Sequence, residues 1–389
     1  MKLTVNILML ASVTAMLAAC GGGGGSSTSP VASNPPPVPV PTPVPVPVAE
    51  TPPPVLTPIS VHGTSYANAK EQGFQAITLP KEVEYSDAYA QADFKQNGTV
   101  MLFASQLKYD IKNSATANTP SVFAFYSKSA NGAWVKETQM IDTPNGCVHP
   151  RKAVVADFNN DSKPDVLIAC QGYDAAPFAG EENFLVLSSA SGVYASKAIS
   201  SKPGFFHAVA ATDFNGDGKI DFIATDTTVT GKARMFMGNG NGTFTENTVL
   251  PDVLSKHYFF TVEATDVNGD GKVDLLFGAD ENIGGSKSKV VIGDGTGNFT
   301  GGRVIDLPND ASNALILDFV VKNGAIYALR TSSDKENFYN TKAIQKIDIN
   351  SMAGNTVFAV NGQGWVKWLI PTATGVVSDN AQNAGGTTY

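Results

Sequence analysis

The stretch Thr212-Asp-Phe-Asn-Gly-Asp-Gly-Lys-Ile-Asp-Phe-Ile-Ala-Thr225 decides how this chain is read. It returns without gaps as Ala156-Asp-Phe-Asn-Asn-Asp-Ser-Lys-Pro-Asp-Val-Leu-Ile-Ala169 and as Thr265-Asp-Val-Asn-Gly-Asp-Gly-Lys-Val-Asp-Leu-Leu-Phe-Gly278. The leading aspartates, Asp157, Asp213 and Asp266, are 56 and 53 residues apart. Fainter copies begin at Asp93 and Asp318, giving five units at intervals of 52 to 64 residues. A fixed period of this length marks a repeat architecture, in which one unit cannot bury its apolar faces until neighbours stack on it.

Each unit has the same texture. An apolar run precedes the acidic loop (208–212), a second follows it (220–224), and two more come after (233–237 and 243–250), separated by Gly/Asn turns such as Gly238-Asn-Gly-Asn-Gly242. Short β-branched segments bounded by glycine read as strands, and no helical periodicity is sustained. Four strands per unit predict an all-β fold, a β-propeller of about five four-stranded blades, or six if residues 365–371 belong to another sheet. Residues 74–79 have the look of a last strand and come before the first acidic loop. They are expected to pair with the blade after Asp318, since open sheets would leave exposed edges.

Composition separates this body from what precedes it. The chain has 389 residues, and 13 of its 23 prolines fall in residues 30–58. Residues 1–19 combine Lys2, an apolar run too short to span a bilayer, and small residues before Cys20. This resembles a bacterial lipoprotein signal, which implies cleavage before Cys20 and its acylation. Gly21, rather than Asp, after the cysteine implies the outer membrane, with the periplasmic or cell-surface side left open. Residues 20–59 then form a Gly/Ser and Pro-rich stalk expected to be disordered and extended, and residues 60–389 the propeller. The formal charge of −8 argues against nucleic acid, and no phosphate-binding loop suggests a nucleotide.

The acidic loops place oxygen donors at positions 1, 3, 5 and 9 and a backbone carbonyl at position 7, as a hard cation such as Ca²⁺ requires. Position 12 is Ile168, Ala224 or Phe277 rather than glutamate, and the loops join strands, so an EF-hand does not fit. The units resemble the FG-GAP and VCBS repeats of integrin-α-like propellers, closely over 153–300 and weakly over 85–105 and 314–330. That resemblance implies up to three Ca²⁺ sites. One comprises Asp157, Asn159, Asp161, Lys163 through its carbonyl, and Asp165. The second comprises Asp213, Asn215, Asp217, Lys219 (carbonyl) and Asp221, and the third Asp266, Asn268, Asp270, Lys272 (carbonyl) and Asp274. Ser162 replaces the turn glycine of the first, and the copies at Asp93 and Asp318 lack the ligands and read as metal-free turns. Such ions staple loops or, less commonly, touch a ligand.

Cys147 and Cys170 remain after Cys20, and an exported context favours a disulfide over two buried thiols. No catalytic motif is present. In a propeller, the loops between first and second strands and between third and fourth strands share one face. The long insertions 106–119, 171–183, 226–232, 279–287 and 331–341 share the other with His149, His207 and His257. Tyr258, Arg151, Lys152, Phe205, Phe206, Tyr85 and Tyr173 join them there, and long aromatic loops make this the expected ligand face. The histidines read as strand-start packing residues, as part of a binding surface, or as a three-His metal site. The function expected is a binding or adhesion module for a glycan or protein partner. A carbohydrate-active enzyme using the histidines, Tyr85, Tyr173 and Glu181 or Glu182, or a scaffold with no ligand beyond calcium, are the alternatives.

Overall fold

The computed structural model describes residues 79–199, 202–227, 232–334, 338–362, 368–371 and 375–379. They form five blades of antiparallel strands in sequence order, as the repeat predicts. Blade 1 is β1 (Tyr89–Ala92), β2 (Met101–Gln106), β3 (Val122–Lys128) and β4 (Trp134–Glu137). A short strand, β5 (Ile141–Thr143), leaves blade 1 and runs parallel to the outer strand of blade 2. Blade 2 itself is β6 (Pro150–Ala156), β7 (Asp165–Cys170), β8 (Phe184–Leu187) and β9 (Tyr194–Ala198), so with β5 its sheet has five strands. Blade 3 is β10 (Phe206–Thr212), β11 (Asp221–Asp226), β12 (Lys232–Gly238) and β13 (Phe244–Asn247). Blade 4 is β14 (Phe259–Thr265), β15 (Asp274–Ala279), β16 (Lys289–Val291) and β17 (Val304–Asp306). Blade 5 is β18 (Leu315–Lys322), β19 (Ala325–Thr331), β20 (Thr341–Asp348) and β21 (Gly354–Asn361). A further two-stranded sheet joins β22 (Trp368–Pro371) to β23 (Val376–Asp379).

The strand gradient follows from ring geometry. Inner strands converge on the axis and are the most enclosed, and β10 (Phe-His-Ala-Val-Ala-Ala-Thr) is buried at every position. Outer strands diverge, and β13 and β21 are mostly exposed. Between blades the gaps are filled by rings. The phenylalanine after Asp93, Asp157 or Asp213 meets an aromatic near the start of the next blade's outer strand or just ahead of it. Phe94 lies 6.0 Å from Tyr194, Phe158 6.0 Å from Phe244, and Phe214 5.9 Å from Phe299, all edge-on. That geometry adds about 0.5–1.5 kcal/mol per pair beyond burial.

The core of the ring is closed by side chains. Lys152 on β6 reaches past blade 3 to Glu263 on β14, Nζ to Oε1 2.5 Å, and donates to the Val262 carbonyl at 3.0 Å. Both side chains are essentially fully buried, and Trp368 lies under the ammonium.

One expectation changes here. Asp318 does not lead a loop: it is a buried residue within β18, and the turn that follows is Asn323-Gly324. The run Asp-Phe-Val-Val-Lys-Asn-Gly resembles the acidic loop in composition, but its valines extend the strand. The blade after Asp318 draws its four strands β18–β21 from consecutive chain, and the expected pairing of residues 74–79 with it falls on residues of which only Leu79 is described. Residues 74–78 lie outside the described residues, and Leu79 is buried without being in a strand.

Candidate functional site

The acidic loops connect first to second strands in blades 2, 3 and 4 and fold alike. In blade 3 the Asp213 carboxylate turns back into its own loop. Its Oδ1 accepts from Gly216 N at 2.7 Å and its Oδ2 from Gly218 N at 2.8 Å. Asn215 Oδ1 accepts from Asp217 N at 2.9 Å, and Asp217 Oδ1 from Lys219 N at 3.0 Å. Blade 4 repeats this: Asp266 holds Gly269 N and Gly271 N, Asn268 holds Asp270 N, and Asp270 holds Lys272 N. In blade 2, Asp157 holds Asp161 N and Ser162 N, Asn159 also holds Asp161 N, and Asp161 holds Lys163 N. There Asn160 and Ser162 occupy the left-handed region (φ 59° and 68°) where the other loops use glycine. The loop at Asp93 also folds this way, its carboxylate accepting from Asn97 N and Gly98 N, although it lacks the remaining carboxylates.

Position 9 has a second role that sequence reading missed. Asp221 Oδ2 accepts from Phe214 N at 3.0 Å and Oδ1 from Gly238 N at 2.7 Å, tying the acidic loop to the end of the third strand. Asp165 does the same for Phe158 N and Ser188 N, and Asp274 for Val267 N and Gly293 N. Burial pushes Asp221 up to about 6 against those amides, and the charges of Asp217 and Asp213 push the same way. Burial likewise lifts Asp165 to about 7 and raises Asp274. Oxygen donors with an excess of negative charge suit a hard cation, although in blade 3 Lys219 Nζ already pairs with Asp217 Oδ2 at 3.1 Å. Among the described residues, however, no three His, Cys, Asp or Glu side chains are gathered at one point where an ion would sit.

On the opposite face the histidines divide. His149 and His207 are both buried at the mouth of the channel, with Arg151 beside them. His149 Nδ1 pairs with the Tyr109 hydroxyl at 2.7 Å, and its Nε2 lies 3.4 Å from Arg151 Nη1. Arg151 Nη1 donates to Asp87 Oδ2 at 3.3 Å. His207 Nδ1 pairs with Thr227 Oγ1 at 2.9 Å. Burial, then the Arg151 charge, holds both imidazoles well below their ordinary range, so they are neutral. A cavity of about 20 Å³ opens among Asp87, Arg151, His207, Phe260, Thr261 and Trp368, room for about one water molecule. The buried Thr261 hydroxyl beside it has no hydrogen-bond partner among the described residues. Rings run outward from this mouth: Phe260 to His207 (4.5 Å) to Phe205 (5.6 Å) to Phe178 (6.1 Å), and His149 to Tyr109 (4.8 Å) to Tyr173 (5.8 Å).

His257 belongs elsewhere. It accepts from Lys287 N and answers to Lys289, Asp306, Lys256 and Lys287, so the three histidines do not converge. Tyr258 packs with the 284–286 loop, its N–H donating to Ser286 Oγ. Phe206 is a buried strand residue, Lys152 is committed to Glu263, and Tyr85 is exposed. Glu181 accepts from Val148 N at 2.9 and 2.7 Å through its two oxygens, which orders the chain ahead of β6. Glu182 is half-buried. Cys147 and Cys170 are joined in a buried disulfide. Sequence reading missed Asp87, Tyr109, Thr261 and Trp368. Asp87 stands just ahead of the inner strand β1, as His149 does at β6, and that shared placement was the available signal.

No described helix is long and apolar enough to cross a membrane. Residues 213–277 match the FG-GAP-like repeat family model, which covers the acidic loops of blades 3 and 4. No match was found among the curated proteins. Several solved structures are similar in fold. A putative 6-phosphogluconolactonase from Bacteroides fragilis aligns at TM-score 0.46 and 12% identity, over 79% of this chain and 81% of that one. The Dos1 propeller aligns at 0.39 and 9%, over 69% and 59%. A putative exo-β-1,3-galactanase from Bifidobacterium bifidum aligns at 0.39 and 11%, over 66% and 87%.

Proposed function

We propose that this propeller with FG-GAP-like repeats is a binding module with a division of labour between its faces. Calcium in the loops led by Asp157, Asp213 and Asp266 stiffens one face, and the long-loop face captures a glycan or protein partner. A lipid on Cys20 holds the module at the bacterial outer membrane. Calcium would be held by the Asp and Asn oxygens of each loop with the carbonyl of Lys163, Lys219 or Lys272. The ion supplies positive charge to loops that carry three carboxylates each. The chain's own amides already bend those loops, so the ion's role is to lock them.

One observation carries the reading of the ligand face. Among the described residues nine large apolar side chains are exposed, and six of them, Tyr85, Ile111, Phe178, Val253, Ile283 and Phe338, sit on loops that strand order places on the long-loop face. Apolar exposure gathered on one face marks an interaction surface, whereas scattered single residues do not. Phe178 is 55% exposed with φ at 57°, an unfavourable backbone for an aromatic, and it is propped by Phe205. The neutral, hydrogen-bonded histidines and the one-water cavity favour surface capture over catalysis in a deep pocket.

The test is a glycan array and a crosslinking capture of envelope partners, using the mature chain in calcium. Phe178→Ala combined with Ile111→Ala is expected to lower binding at least about tenfold, the loss of about 1.4 kcal/mol. Asp270→Asn on the other face is expected to leave binding unchanged at saturating calcium. Binding indifferent to the long-loop substitutions would overturn the assignment, and polysaccharide turnover abolished by His207→Ala would replace it with the enzyme reading. Fatty-acid labelling lost in Cys20→Ser tests the anchor.

A further inference from the structure

The inner strands of four blades carry the same irregularity. Their pairing with the second strand skips one residue: Arg151 in β6, His207 in β10, Phe260 in β14 and Leu317 in β18. A bulge of this kind leaves one residue out of the ladder and re-aims its side chain, and bulges are common beside active sites. Here all four bulged residues line one cavity, the opening of about 20 Å³ at the channel mouth, which Asp87 also lines from the chain ahead of β1.

The polar groups around this cavity are of a definite kind. Arg151 and Asp87 pair with each other at 3.3 Å, so their charges largely cancel. The Thr227 hydroxyl has the Phe205 carbonyl as its own acceptor at 3.2 Å, so it receives the proton of His207 Nδ1 at 2.9 Å. That tautomer leaves His207 Nε2 as an acceptor. Thr261 follows the Phe260 bulge and lines the cavity too. Its methyl lies against Gly278, and its hydroxyl has no hydrogen-bond partner among the described residues although the residue is only 1% exposed. An unpaired buried hydroxyl weakens a fold, and an oxygen entering the cavity would give this one a partner.

These groups select among ligand chemistries. A carboxylate brings two oxygens, beside Asp87, into room for about one. An ammonium repels Arg151 and offers its donors no acceptor. A hydroxyl can donate to His207 Nε2 and accept from Arg151 or Thr261 without adding charge. The wall beside it is Phe260, half-buried, its ring 4.5 Å from that of His207. A serine or threonine hydroxyl sits one carbon from its backbone, whose amide finds no partner against that ring. A pyranose hydroxymethyl carries its hydroxyl one bond clear of the sugar ring, whose C–H face suits an apolar wall.

We propose that this cavity receives the exocyclic hydroxymethyl group of a neutral hexose at the end of a glycan, with the sugar ring against Phe260. The proposal rests on the long-loop face being the ligand face, and it narrows the partner to a neutral glycan.

Binding of the full mature chain to an array of oligosaccharides ending in glucose, galactose or mannose, printed with their 6-deoxy and uronate counterparts, tests this. At least one hexose-ended series is expected to bind, and loss of the 6-hydroxyl or its oxidation to the uronate to weaken binding at least about tenfold, because a site built to hydrogen-bond a hydroxyl rejects an analogue lacking it. Calorimetric titration with the best-bound oligosaccharide then compares variants. Thr261→Val, which keeps the shape and deletes the hydroxyl, is expected to weaken binding about tenfold without lowering the melting temperature, and Thr261→Ser to restore it. Hexose binding indifferent to 6-deoxygenation, or to Thr261→Val, would overturn the proposal and leave the long-loop-face reading standing, since Phe178→Ala with Ile111→Ala tests that separately. A preference for the uronate, or no hexose-ended glycan bound, would overturn it as well.

Discussion

Replacing Lys152 by methionine keeps most of the side-chain volume but strands Glu263. Lys152 and Glu263 are 0% and 1% exposed, and their contact bridges inner strands that belong to blades 2 and 4. Water does not reach the carboxylate, so removing its partner leaves a charge to be neutralised or hydrated at the expense of folding. Breaking a buried pair in this way costs about 3–5 kcal/mol, whereas replacing both members by apolar groups is often neutral. Chemical denaturation of the single and double variants in chelator is the assay. Lys152→Met should lose about 3–5 kcal/mol near neutral pH, and Lys152→Met with Glu263→Leu should recover most of it. The sign with pH also follows. An unpaired buried carboxylate has its folded pKa raised, so the Lys152→Met deficit should shrink as pH falls toward the ordinary glutamate range and Glu263 takes up a proton. A single variant within about 1 kcal/mol of the parent at all pH values, or a double variant no better than the single, would refute the bridging role.

Other substitutions probe the loops and the channel mouth. A Cβ at Gly238 would come within 2.1 Å of the Ile220 carbonyl, whereas one at Gly218 meets nothing despite φ of 79°. Gly238→Ala should therefore cost several times the roughly 1–2 kcal/mol of Gly218→Ala in denaturant melts. Phe214→Ala empties an almost fully buried ring site against Phe299 and should cost about 3–5 kcal/mol, with hydrogen exchange rising first where blade 4 meets blade 3. His207 is held neutral by burial and by Arg151, so the unfolded chain binds its proton more readily and stability falls as pH drops below the unfolded value of about 6.5. His207→Gln should remove up to about 1.4 kcal/mol per pH unit of that slope, and equal slopes for parent and variant would contradict the assignment.

The repeat made most of this architecture legible before any coordinates. Asp-x-Asn-x-Asp-x-Lys-x-Asp predicts a turn because the Asx side chains bond amides two residues on, and that is what Asn215 and Asp217 do. Apolar runs on either side then have to be strands. Asp318 misled because composition alone cannot distinguish a loop aspartate from an acceptor buried in a strand, a distinction that rests on what packs opposite, here Leu369 N. The histidine grouping was half legible. Strand-start position brought His149 and His207 to the channel, but His257 is carried aside by the turn that precedes β14. The double duty of Asp165, Asp221 and Asp274 was hidden because its second partner, Ser188, Gly238 or Gly293, arrives from another strand. The Phe-to-aromatic contacts between blades were visible in principle, as Asp-Phe in one unit and Gly-x-Phe or Gly-x-Tyr in the next.

The account turns on the loops taking up calcium, and calorimetric titration of the chelator-stripped mature chain tests that most directly. The expected result is uptake at up to three sites with dissociation constants of about 10⁻⁴–10⁻³ M, adding about 0.4–1.4 kcal/mol per site at millimolar calcium. Uptake should fall by one site in each of Asp213→Asn and Asp266→Asn, with a matching loss of the calcium-dependent rise in melting temperature. No heat of binding, and one melting temperature with and without calcium, would contradict it.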